Sequence, residues 1–504
     1  QELKATSCIS CGQCIDVCPT GAWLDRRENI KEIPLNLTET KSVCSYCSVG
    51  CEIVYEHKDN VVYKASSPRE NEIPMCGRGK FGIEHINNEN RLLEPKARIK
   101  GVQVPVTMEA ALYETAKRLR SIQDMYGHNQ VAFVVSPKLT NEELMKINAV
   151  AKELNTNYKS SFTVDAEPGI ETVLGENKST TSLDELDAAD LIISVGQLYE
   201  QHPSAGMRLR RLAVTKPVIS VAADKTKADK WAKRIEAYKY EEFFTEVLKA
   251  LIDKGIIKKE KVEAHPNGAN LLKALERIEI RKSADEVAES IKKSKKPVIV
   301  ADANTVNNGA LKVLADIIVL MGNKDRAHRG LIVLKAKSNS QGAWNIGFRT
   351  SGEEIKKALM DNELKGLVVI GEDIIGNNPE LKKAADKLKF FGAFDIMEND
   401  TTKAAEYVLP LCSLAESAGT ITSADGTEKT VNQAIKPLTG MSNYDMFEEL
   451  AELLNAKCVS KDDQNYETEL YVPSFRGREK DYEVYDTVEK AFLENLKANC
   501  ISFK

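Results

Sequence analysis

The sequence CSYCSVGC at residues 44–51, followed by CGRGKFG at residues 76–82, decides how this chain is organised. Its cysteines are spaced C-x2-C-x3-C-x24-C, so that a short loop carries three thiols and a long return loop brings the fourth. Four thiolates in this pattern can close on a single [4Fe-4S] cubane, and the glycines let backbone N–H groups approach the cluster's sulfur atoms. We therefore predict one iron–sulfur cluster, ligated by Cys44, Cys47, Cys51 and Cys76.

A second run of cysteines lies near the start of the chain. Cys8, Cys11, Cys14 and Cys18 are spaced C-x2-C-x2-C-x3-C, and Pro19 follows at once. This run is typical of bacterial two-cluster ferredoxins, in which the fourth cysteine ligates the other cluster. Because only seven residues precede Cys8, we expect Cys18 to reach a cluster outside this sequence and the local cubane to take its fourth ligand from outside. The alternative is one cluster held by all four thiols.

The distribution of the cysteines favours metal ligation over disulfides. Eight of the 11 cysteines fall within the first 76 residues of a 504-residue chain. A chain of this size can bury a core without disulfides, and the spacings of two and three residues are too short for ordinary loop-closing bridges. Zinc is disfavoured because it usually takes two cysteine pairs separated by a longer loop. Cys412, Cys458 and Cys500 have no cysteine near them, and we predict that they are free thiols.

Composition excludes several classes of protein. The chain has 70 Lys and Arg against 75 Asp and Glu, a net charge of −5 spread without a basic block, which argues against nucleic-acid binding. Its apolar runs are far shorter than the roughly 18 residues that a membrane span needs. The sequence opens on Gln1 without a charged and apolar leader. We therefore expect a cytoplasmic protein with neither a signal peptide nor a membrane span of its own.

Beyond residue 95 the sequence alternates between two patterns. Short runs rich in β-branched residues alternate with Lys- and Glu-rich segments whose apolar residues recur at helical spacing. The runs are residues 131–135, 191–195, 218–221, 298–301 and 367–370. Strands that alternate with helices predict parallel sheets covered on both faces, and hence an α/β fold.

These features together resemble the molybdopterin oxidoreductase superfamily, which includes formate dehydrogenases and the large iron–sulfur subunit of NADH dehydrogenase, the G-type subunit of complex I. Further segments similar to landmarks of that family are residues 187–196, 200–203, 338–347, 371–373, 408–410 and 416–420. The resemblance implies a ferredoxin-like piece (residues 1–30), a small [4Fe-4S] domain (38–95), two interleaved α/β domains (96–455) and a C-terminal tail (456–504). The chain ends near where the family's last β-barrel domain would begin, so we expect that domain to be absent.

Departures from the family pattern concern the pterin site. Active members carry a lysine two places after the last cluster cysteine, where this chain has Arg78, with Lys80 two residues further on. Asp165 lies in the stretch where formate dehydrogenases place a metal-ligating cysteine or selenocysteine. Asp224 and Glu428 put negative charge where the family grips its pterin nucleotides. The resemblance, read with these departures, predicts that molybdopterin is absent.

The functional hypothesis is an iron–sulfur electron-transfer subunit of a multi-subunit NAD(P)-linked oxidoreductase, of the NADH dehydrogenase, hydrogenase or electron-bifurcating type. Two [4Fe-4S] clusters on one chain form a segment of an electron path, and no flavin or nicotinamide motif is evident. We therefore expect flavin- or NAD(P)-binding and other iron–sulfur subunits as partners, and no substrate site on this chain. The alternatives are a formate dehydrogenase-like catalytic subunit with a molybdenum or tungsten bis-pterin, and a structural platform subunit.

The histidines outside the cluster segments are predicted to be structural. His202, His265 and His328 have no cysteine or carboxylate pair near them in the sequence, so we expect them to be surface or packing residues.

Overall fold

The structure is a computed structural model that describes residues 8, 10–23, 25, 36–68, 74–162, 169–324, 326–457 and 466–473. Its strands are β1 (Thr38–Val43), β2 (Glu52–Lys58), β3 (Val61–Ser66), β4 (Lys96–Ile99), β5 (Val102–Pro105), β6 (Val131–Val135), β7 (Lys159–Ser160), β8 (Leu191–Val195), β9 (Val218–Ala222), β10 (Lys233–Glu236), β11 (Pro297–Asp302), β12 (Gly330–Leu334), β13 (Gly366–Ile370), β14 (Phe390–Asp395), β15 (Tyr407–Pro410), β16 (Gly419–Thr422) and β17 (Glu428–Val431). Its α-helices are α1 (Gln13–Asp16), α2 (Gly77–Phe81), α3 (Met108–Tyr126), α4 (Asn141–Glu153), α5 (Glu171–Leu174), α6 (Leu198–Gln201), α7 (Pro203–Leu212), α8 (Tyr240–Asp253), α9 (Lys259–Glu263), α10 (Gly268–Leu275), α11 (Lys282–Lys293), α12 (Asn308–Leu320), α13 (Ser340–Ile346), α14 (Gly352–Met360), α15 (Ile374–Asn377), α16 (Lys382–Ala385), α17 (Asp400–Ala404) and α18 (Asn443–Leu453).

A small antiparallel sheet, in the order β1-β2-β3, carries the second cysteine group. Cys44 follows β1 directly, Cys51 precedes β2, and Cys76 lies immediately before α2. The two strands nearest the cysteines pair in register, with Val43 opposite Glu52. The start and end of the loop of residues 44–51 are therefore held side by side, which brings its thiols together.

The first large sheet has the strand order β10-β9-β8-β11-β12, and all its pairs are parallel. Its central strands are buried along their whole length, as expected for a parallel sheet covered on both faces. Helices α8, α11 and α12 pack on one face through apolar residues such as Phe243, Val287 and Leu314. The chain runs outward in opposite directions from β8 and β11, so a crevice lies between the carboxyl ends of these two strands.

The second large sheet has the order β5-β4-β15-β14-β13-β6-β7. Its strands are parallel from β15 to β7, and the short hairpin of β4 and β5 joins β15 antiparallel at one edge. One face packs against α3, α4 and α18, with Leu119, Ile147 and Phe447 in its core. The strand order reverses between β6 and β13, which forms a second crevice at the carboxyl edge.

The fold predicted from the sequence is confirmed: the chain is α/β, with two parallel sheets and a separate small cluster sheet. The five β-branched runs correspond to strands β6, β8, β9, β11 and β13. The chain enters the second sheet with β4 to β7, passes through the whole first sheet and returns with β13 to β15, so the two sheets are interleaved in sequence. The sheets of the described residues are open, and the domain boundaries given above remain predictions.

No described helix is both long and apolar enough to cross a membrane.

Candidate iron–sulfur centres

The second cysteine group converges on one place between β1, β2 and α2. The N–H of Cys44 donates to the carbonyl of Cys51 at 2.9 Å, which joins the two ends of the loop. Within the loop, the N–H of Gly50 donates to the carbonyl of Cys47 at 3.1 Å. Gly50 has φ +61°, a conformation that side chains other than glycine rarely adopt. The tight turn thus keeps the three thiols of the loop close enough to one another and to Cys76 for their charges to interact.

Helix α2 approaches the thiols closely because its third residue is a glycine, Gly79. A Cβ added at Gly79 would lie 2.9 Å from the Sγ atom of Cys44. The N–H groups of Arg78 and Gly79 donate to the Cys76 thiolate at the start of this helix. The helix N-terminus therefore supplies both space and hydrogen-bond donors to the thiol group.

Burial and mutual proximity control the acidity of these thiols. Burial raises the pKa of Cys51 to about 12, and it raises the pKa of Cys44 well above its ordinary value. The neighbouring thiolates contribute to both rises, because like charges lie within electrostatic range of one another. In the free chain these two thiols hold their protons, so binding of a cluster must release them.

The donors around the thiols fit an iron–sulfur cluster. The N–H groups of Tyr46 and Val49 donate to Cys44 and Cys47 respectively, and the Ser204 hydroxyl, which donates to the Pro74 carbonyl at 3.1 Å, lies beside Cys51. Hydrogen bonds to sulfur are the means by which a protein sets the potential of such a cluster. Among the described residues, no three His, Cys, Asp or Glu side chains are arranged to hold a single metal ion. A cubane differs from a zinc site in that each thiolate binds a different iron atom.

His202 is the residue of this site that the sequence did not indicate. The prediction that it lacks a cysteine or carboxylate partner is wrong. The ring is fully buried, its Nε2 atom lies 3.1 Å from Oδ1 of Asp302, and it interacts with Cys47. Burial alone would lower the pKa of His202, but the hydrogen bond that its Nε2–H donates to Asp302 and the nearby Cys47 thiolate raise it to about 9. His202 therefore lies, hydrogen-bonded to Asp302, beside a cluster cysteine. His328, by contrast, lies at the surface 3.8 Å from Glu185.

The first cysteine group lies on a short loop that includes α1. Cys8 and Cys14 are exposed, while Cys11 and Cys18 are partly buried. The N–H of Ser10 lies 3.4 Å from the Cys8 Sγ atom. The hydrogen bond from the Thr20 hydroxyl, 3.6 Å from the thiol, is the main reason why the pKa of Cys18 falls to about 7. Which of these thiols share a cluster remains a prediction.

This first loop packs directly against α2, the helix that follows Cys76. A Cβ added at Gly77 would lie 2.4 Å from the carbonyl oxygen of Ser10, and a Cβ added at Gly12 would lie 2.4 Å from the Phe81 ring. Gly12 also has φ +74°. Both glycines are therefore needed for the close approach of the first cysteine loop to the helix that follows Cys76.

Ion pairs and a hydrogen bond hold the first loop in place. Asp16 of α1 forms an ion pair with Lys80, whose side chain is only 3% exposed, and lies 3.6 Å from Lys64. The Lys227 ammonium donates to the carbonyl of Cys8 at 2.7 Å. In the sequence, Lys80 stood out only because it lies two residues beyond the position of the family's lysine. In the structure, its ion pair with Asp16 connects α2, which follows Cys76, to the first cysteine loop.

Arg78 occupies the position where the resemblance placed the lysine of active members. Its guanidinium donates to the carbonyls of Gln201 at 3.0 Å and Glu200 at 3.3 Å. Its charge therefore serves to hold the C-terminal end of α6 against α2.

The crevice of the first sheet is closed by the chain's own side chains. A Cβ added at Gly196, just after β8, would lie 2.4 Å from the Thr305 hydroxyl. That hydroxyl also accepts the Gln197 N–H at 3.0 Å, and the Gln197 amide lies 3.3 Å from Asp224. A dinucleotide pyrophosphate needs free N–H groups and close access to the backbone at such a crevice. Here that N–H is occupied and a carboxylate lies beside it.

The crevice of the second sheet contains a charged group. Lys138 follows β6 and Lys337 follows β12, and the Lys337 ammonium lies 3.9 Å from Glu372. The Lys138 ammonium lies 5.6 Å from the centre of the Tyr46 ring, next to Cys44. Desolvation, together with the nearby charge of Lys337, lowers the pKa of Lys138. The second crevice therefore carries two lysines, Lys138 and Lys337, and one of them lies next to the second cysteine group.

A cleft of about 750 Å³ opens on another side of the second cysteine group. It is lined by Cys51, the basic residues Arg208 and Lys429, and the hairpin of β16 and β17. Glu428 begins β17 and is exposed. The cleft leaves one side of the second site open, and nothing in the sequence indicated it.

Four residues singled out in the sequence are not part of either cysteine site as the structure describes it. Asp165, Cys458 and Cys500 lie outside the described residues. Cys412 is buried, with its thiol 3.4 Å from the Thr439 hydroxyl and from the Met441 carbonyl.

Comparison with known families and structures agrees with this architecture. The model of the molybdopterin oxidoreductase family matches residues 91–453, that of its Fe4S4 domain matches residues 37–88, and that of a 4Fe-4S binding domain matches residues 4–23. The chain belongs to the molybdopterin oxidoreductase family. This family assignment covers both large sheets and the second cysteine group.

The individual relatives share only about a quarter of their aligned residues with this chain. The chain is 26% identical to the NADPH-Fe(3+) oxidoreductase subunit alpha of Geobacter sulfurreducens, across 89% of this chain and 59% of that protein. It is 23% identical to a protein of Staphylococcus aureus named "Putative formate dehydrogenase", across 90% of this chain and 56% of that protein. The chain thus spans less than two thirds of either relative.

A solved structure shows the same fold. Acetylene hydratase from Pelobacter acetylenicus superimposes with a TM-score of 0.68 at 14% identity, covering 82% of this chain and 69% of that one. At this identity the likeness concerns the fold alone.

Proposed function

We propose that this chain is an iron–sulfur electron-transfer subunit of a multi-subunit NAD(P)-linked oxidoreductase. In this proposal, one [4Fe-4S] cluster is ligated by Cys44, Cys47, Cys51 and Cys76. A second is held by Cys8, Cys11 and Cys14, and Cys18 ligates a cluster outside this sequence. The clusters supply one-electron transfer, and the chain's own residues hold, orient and shield them.

The observation that carries this proposal is the packing of the first cysteine loop on α2. The carbonyl of Ser10 lies against Gly77, the residue that follows Cys76, with no side chain between them. Two clusters bound at these loops would both lie beside the same short helix, α2. Such proximity is what one-electron transfer between clusters requires, and a merely structural platform would not need it.

The exposure of the two sites supports an electron path with two ends. Cys8 and Cys14 are exposed at one end, and the cleft beside Cys51 opens at the other. The relative from Geobacter sulfurreducens is named as a subunit of an NADPH-linked oxidoreductase. We therefore propose a flavin- or NAD(P)-binding subunit as one partner and another iron–sulfur subunit as the other.

We further propose that the chain carries no pterin. The support is the closed crevice of the first sheet, where Thr305 covers Gly196 and takes the Gln197 N–H. The competing function is a formate dehydrogenase-like catalytic subunit with a molybdenum or tungsten bis-pterin. The observation that favours it is the second crevice, where Lys138 and Lys337 lie next to the cluster cysteines and could attract an anionic cofactor.

Metal analysis of the anaerobically purified chain tests the proposal. We expect about eight iron per chain if the first site obtains its fourth ligand from outside, about four if that site is empty in the isolated chain, and in both cases neither molybdenum nor tungsten above background. Where the wild-type chain holds about eight iron, a Cys14→Ser variant should fall to about four and a Cys412→Ser control should keep about eight. Stoichiometric molybdenum or tungsten with a recoverable pterin would replace the proposal with the catalytic alternative. Zinc in place of iron would contradict both.

A further inference from the structure

The first cysteine loop has an exposed apolar rim beside its thiols. Val17 directly precedes Cys18 and is 73% exposed, and Trp23 follows it in the sequence and is 65% exposed. Cys8 and Cys14 are exposed as well. Tryptophan is enriched at the centres of protein interfaces, where it contributes much of the binding energy. The rim therefore has the composition of an interface centre.

Basic residues of the first large sheet border the same loop. Lys227 follows β9, and its ammonium donates to the carbonyl of Cys8 at 2.7 Å. Lys225 and Lys230 lie two and three residues from it in the chain, and both are exposed. Because Lys227 fixes this segment against Cys8, its two exposed neighbours lie at the edge of the first cysteine loop.

A tyrosine brings another cation to this edge. The ring centres of Tyr199 and Trp231 are 5.8 Å apart. The Tyr199 hydroxyl accepts a hydrogen bond from Arg210 and lies within electrostatic range of Cys11. Arg210 is exposed. Tyr199 therefore links the first cysteine loop, the basic segment that ends at Trp231 and an exposed arginine.

The charge at this edge is opposite in sign to that of the whole chain. Residues 224–239 contain six Lys and Arg against three Asp and Glu, a net charge of +3, whereas the chain carries −5. Asp229 is turned inward, because it accepts the Thr226 N–H at 3.2 Å and lies 3.4 Å from Arg234. A basic surface attracts an acidic partner and repels a basic one. The edge thus selects the charge of what approaches the exposed thiols.

We propose that this face docks the acidic surface of a one-electron carrier protein. The docking face comprises Cys8, Cys14, Val17, Trp23, Lys225 and Lys230. The inference rests on the proposed function, because it takes a cluster at the first loop as the point of electron entry. One electron passes from the reduced carrier, which is oxidised, to the cluster, which is reduced, and no bond forms or breaks. The basic residues steer the carrier, and the apolar rim excludes water from the contact.

Stopped-flow reduction of the full, cluster-loaded chain tests the inference. The donor is a reduced plant-type [2Fe–2S] ferredoxin of net negative charge, with a potential of about −400 mV. We expect the second-order rate constant to fall as ionic strength rises from about 20 to about 500 mM, because salt screens the attraction. Lys225→Glu with Lys230→Glu should lower it about tenfold at low ionic strength and reverse the salt dependence. Trp23→Ala should lower it without changing the salt dependence.

Two controls separate docking from other effects of charge. Lys383→Glu with Lys387→Glu alters the net charge equally at exposed positions in and after α16, on the second sheet, and should leave the rate within about twofold of wild type. The cationic methyl viologen radical should reduce the Lys225 and Lys230 double variant faster than wild type. Isothermal titration with oxidised ferredoxin reports docking even where the first site holds no iron, and Kd should weaken about tenfold in the same double variant.

The outcomes distinguish the inference from the proposed function. If the two double variants bind and react with ferredoxin alike, or if the wild type binds no ferredoxin while viologen reduces its clusters, the inference is wrong and the proposed function stands. Salt-sensitive self-association that the Lys225 and Lys230 substitutions abolish would assign the face to a second copy of this chain and overturn the inference. A wild-type chain without iron at either cysteine group would overturn the proposed function, and the inference with it.

Discussion

Cys47 is the cysteine of the second group on which the most separate contacts converge. It interacts with His202, accepts the N–H of Val49, and lies close enough to Cys51 to raise the pKa of that thiol. We predict that Cys47→Ser removes the second cluster and destabilises the small sheet, because metal–thiolate bonds contribute to the folding free energy of such a domain. Iron content and visible absorbance measure the loss. Cys412→Ser, a buried thiol away from both groups, is the control and should leave both unchanged. Unaltered iron in the Cys47→Ser variant would contradict the four-cysteine site.

Asp316 of α12 is a second residue whose environment makes a sharp prediction. It is fully buried, its Oδ1 accepts the Tyr471 N–H at 3.1 Å, and its Oδ2 has no hydrogen-bond partner. Burial raises the pKa of this carboxyl well above its ordinary value. The unfolded chain releases this proton above a pH of about 3.9, whereas the folded chain keeps it, so stability falls as pH rises through that window.

We therefore expect Asp316→Asn to be more stable than the wild type at pH 7. The gain should be near zero at pH 4 and grow by up to about 1.4 kcal/mol per pH unit until the folded-state pKa is passed. Urea unfolding at pH 4.5, 5.5 and 7 measures it. A difference that does not change with pH would show that the carboxyl is ionised in the folded chain.

At the scale of the elements, a buried ion pair connects the small cluster sheet to the second large sheet. Arg91 and Glu416 have no exposed side-chain surface, and their charged atoms are 2.8 Å apart. Arg91 also donates to the carbonyls of Ile86 at 2.8 Å and Leu411 at 3.1 Å. Glu416 accepts the Leu438 N–H at 2.8 Å, so this one pair joins three segments of the chain, around residues 86–91, 411–416 and 438.

We predict that Arg91→Ala costs about 3–5 kcal/mol of unfolding free energy, because it leaves the Glu416 carboxylate buried without its cation. The matched control is Lys117→Ala, which removes one partner of an exposed pair with Glu114 on α3 and should change stability by less than about 0.5 kcal/mol. Urea denaturation measures both. Equal effects in the two variants would mean that the Arg91 pair does not hold the two sheets together.

Across the whole molecule, the docking of the first cysteine loop on α2 determines whether the two cluster sites act together. Gly77→Ala would place a Cβ 2.4 Å from the Ser10 carbonyl, and such overpacking costs about 1–3 kcal/mol. We expect the loop to move away from α2, so that hydrogen exchange at the N–H groups of Ile15 and Val17 speeds up and electron transfer between the clusters slows. Exchange mass spectrometry and freeze-quench EPR measure the two effects.

The control for this variant is Gly352→Ala. Gly352 is also the first residue of a helix, α14, but a Cβ there meets nothing closer than the Phe162 side chain at 3.6 Å. Both substitutions change a helix N-terminus in the same way, so only Gly77→Ala should affect the first loop. If the two variants have the same exchange and transfer rates, the loop does not depend on this contact.

The sequence by itself determined the two cysteine groups, the α/β class and the positions of the main strands. These features follow from spacing and periodicity within short segments, where neighbours in the chain are neighbours in space. The tertiary structure alone decided that His202 and Asp302, 100 residues apart in sequence, share a buried hydrogen bond beside Cys47. It alone placed Ser10 against Gly77 and Thr305 over Gly196. Such contacts depend on how separate elements pack, and no local pattern of residues records the direction in which a distant side chain will point.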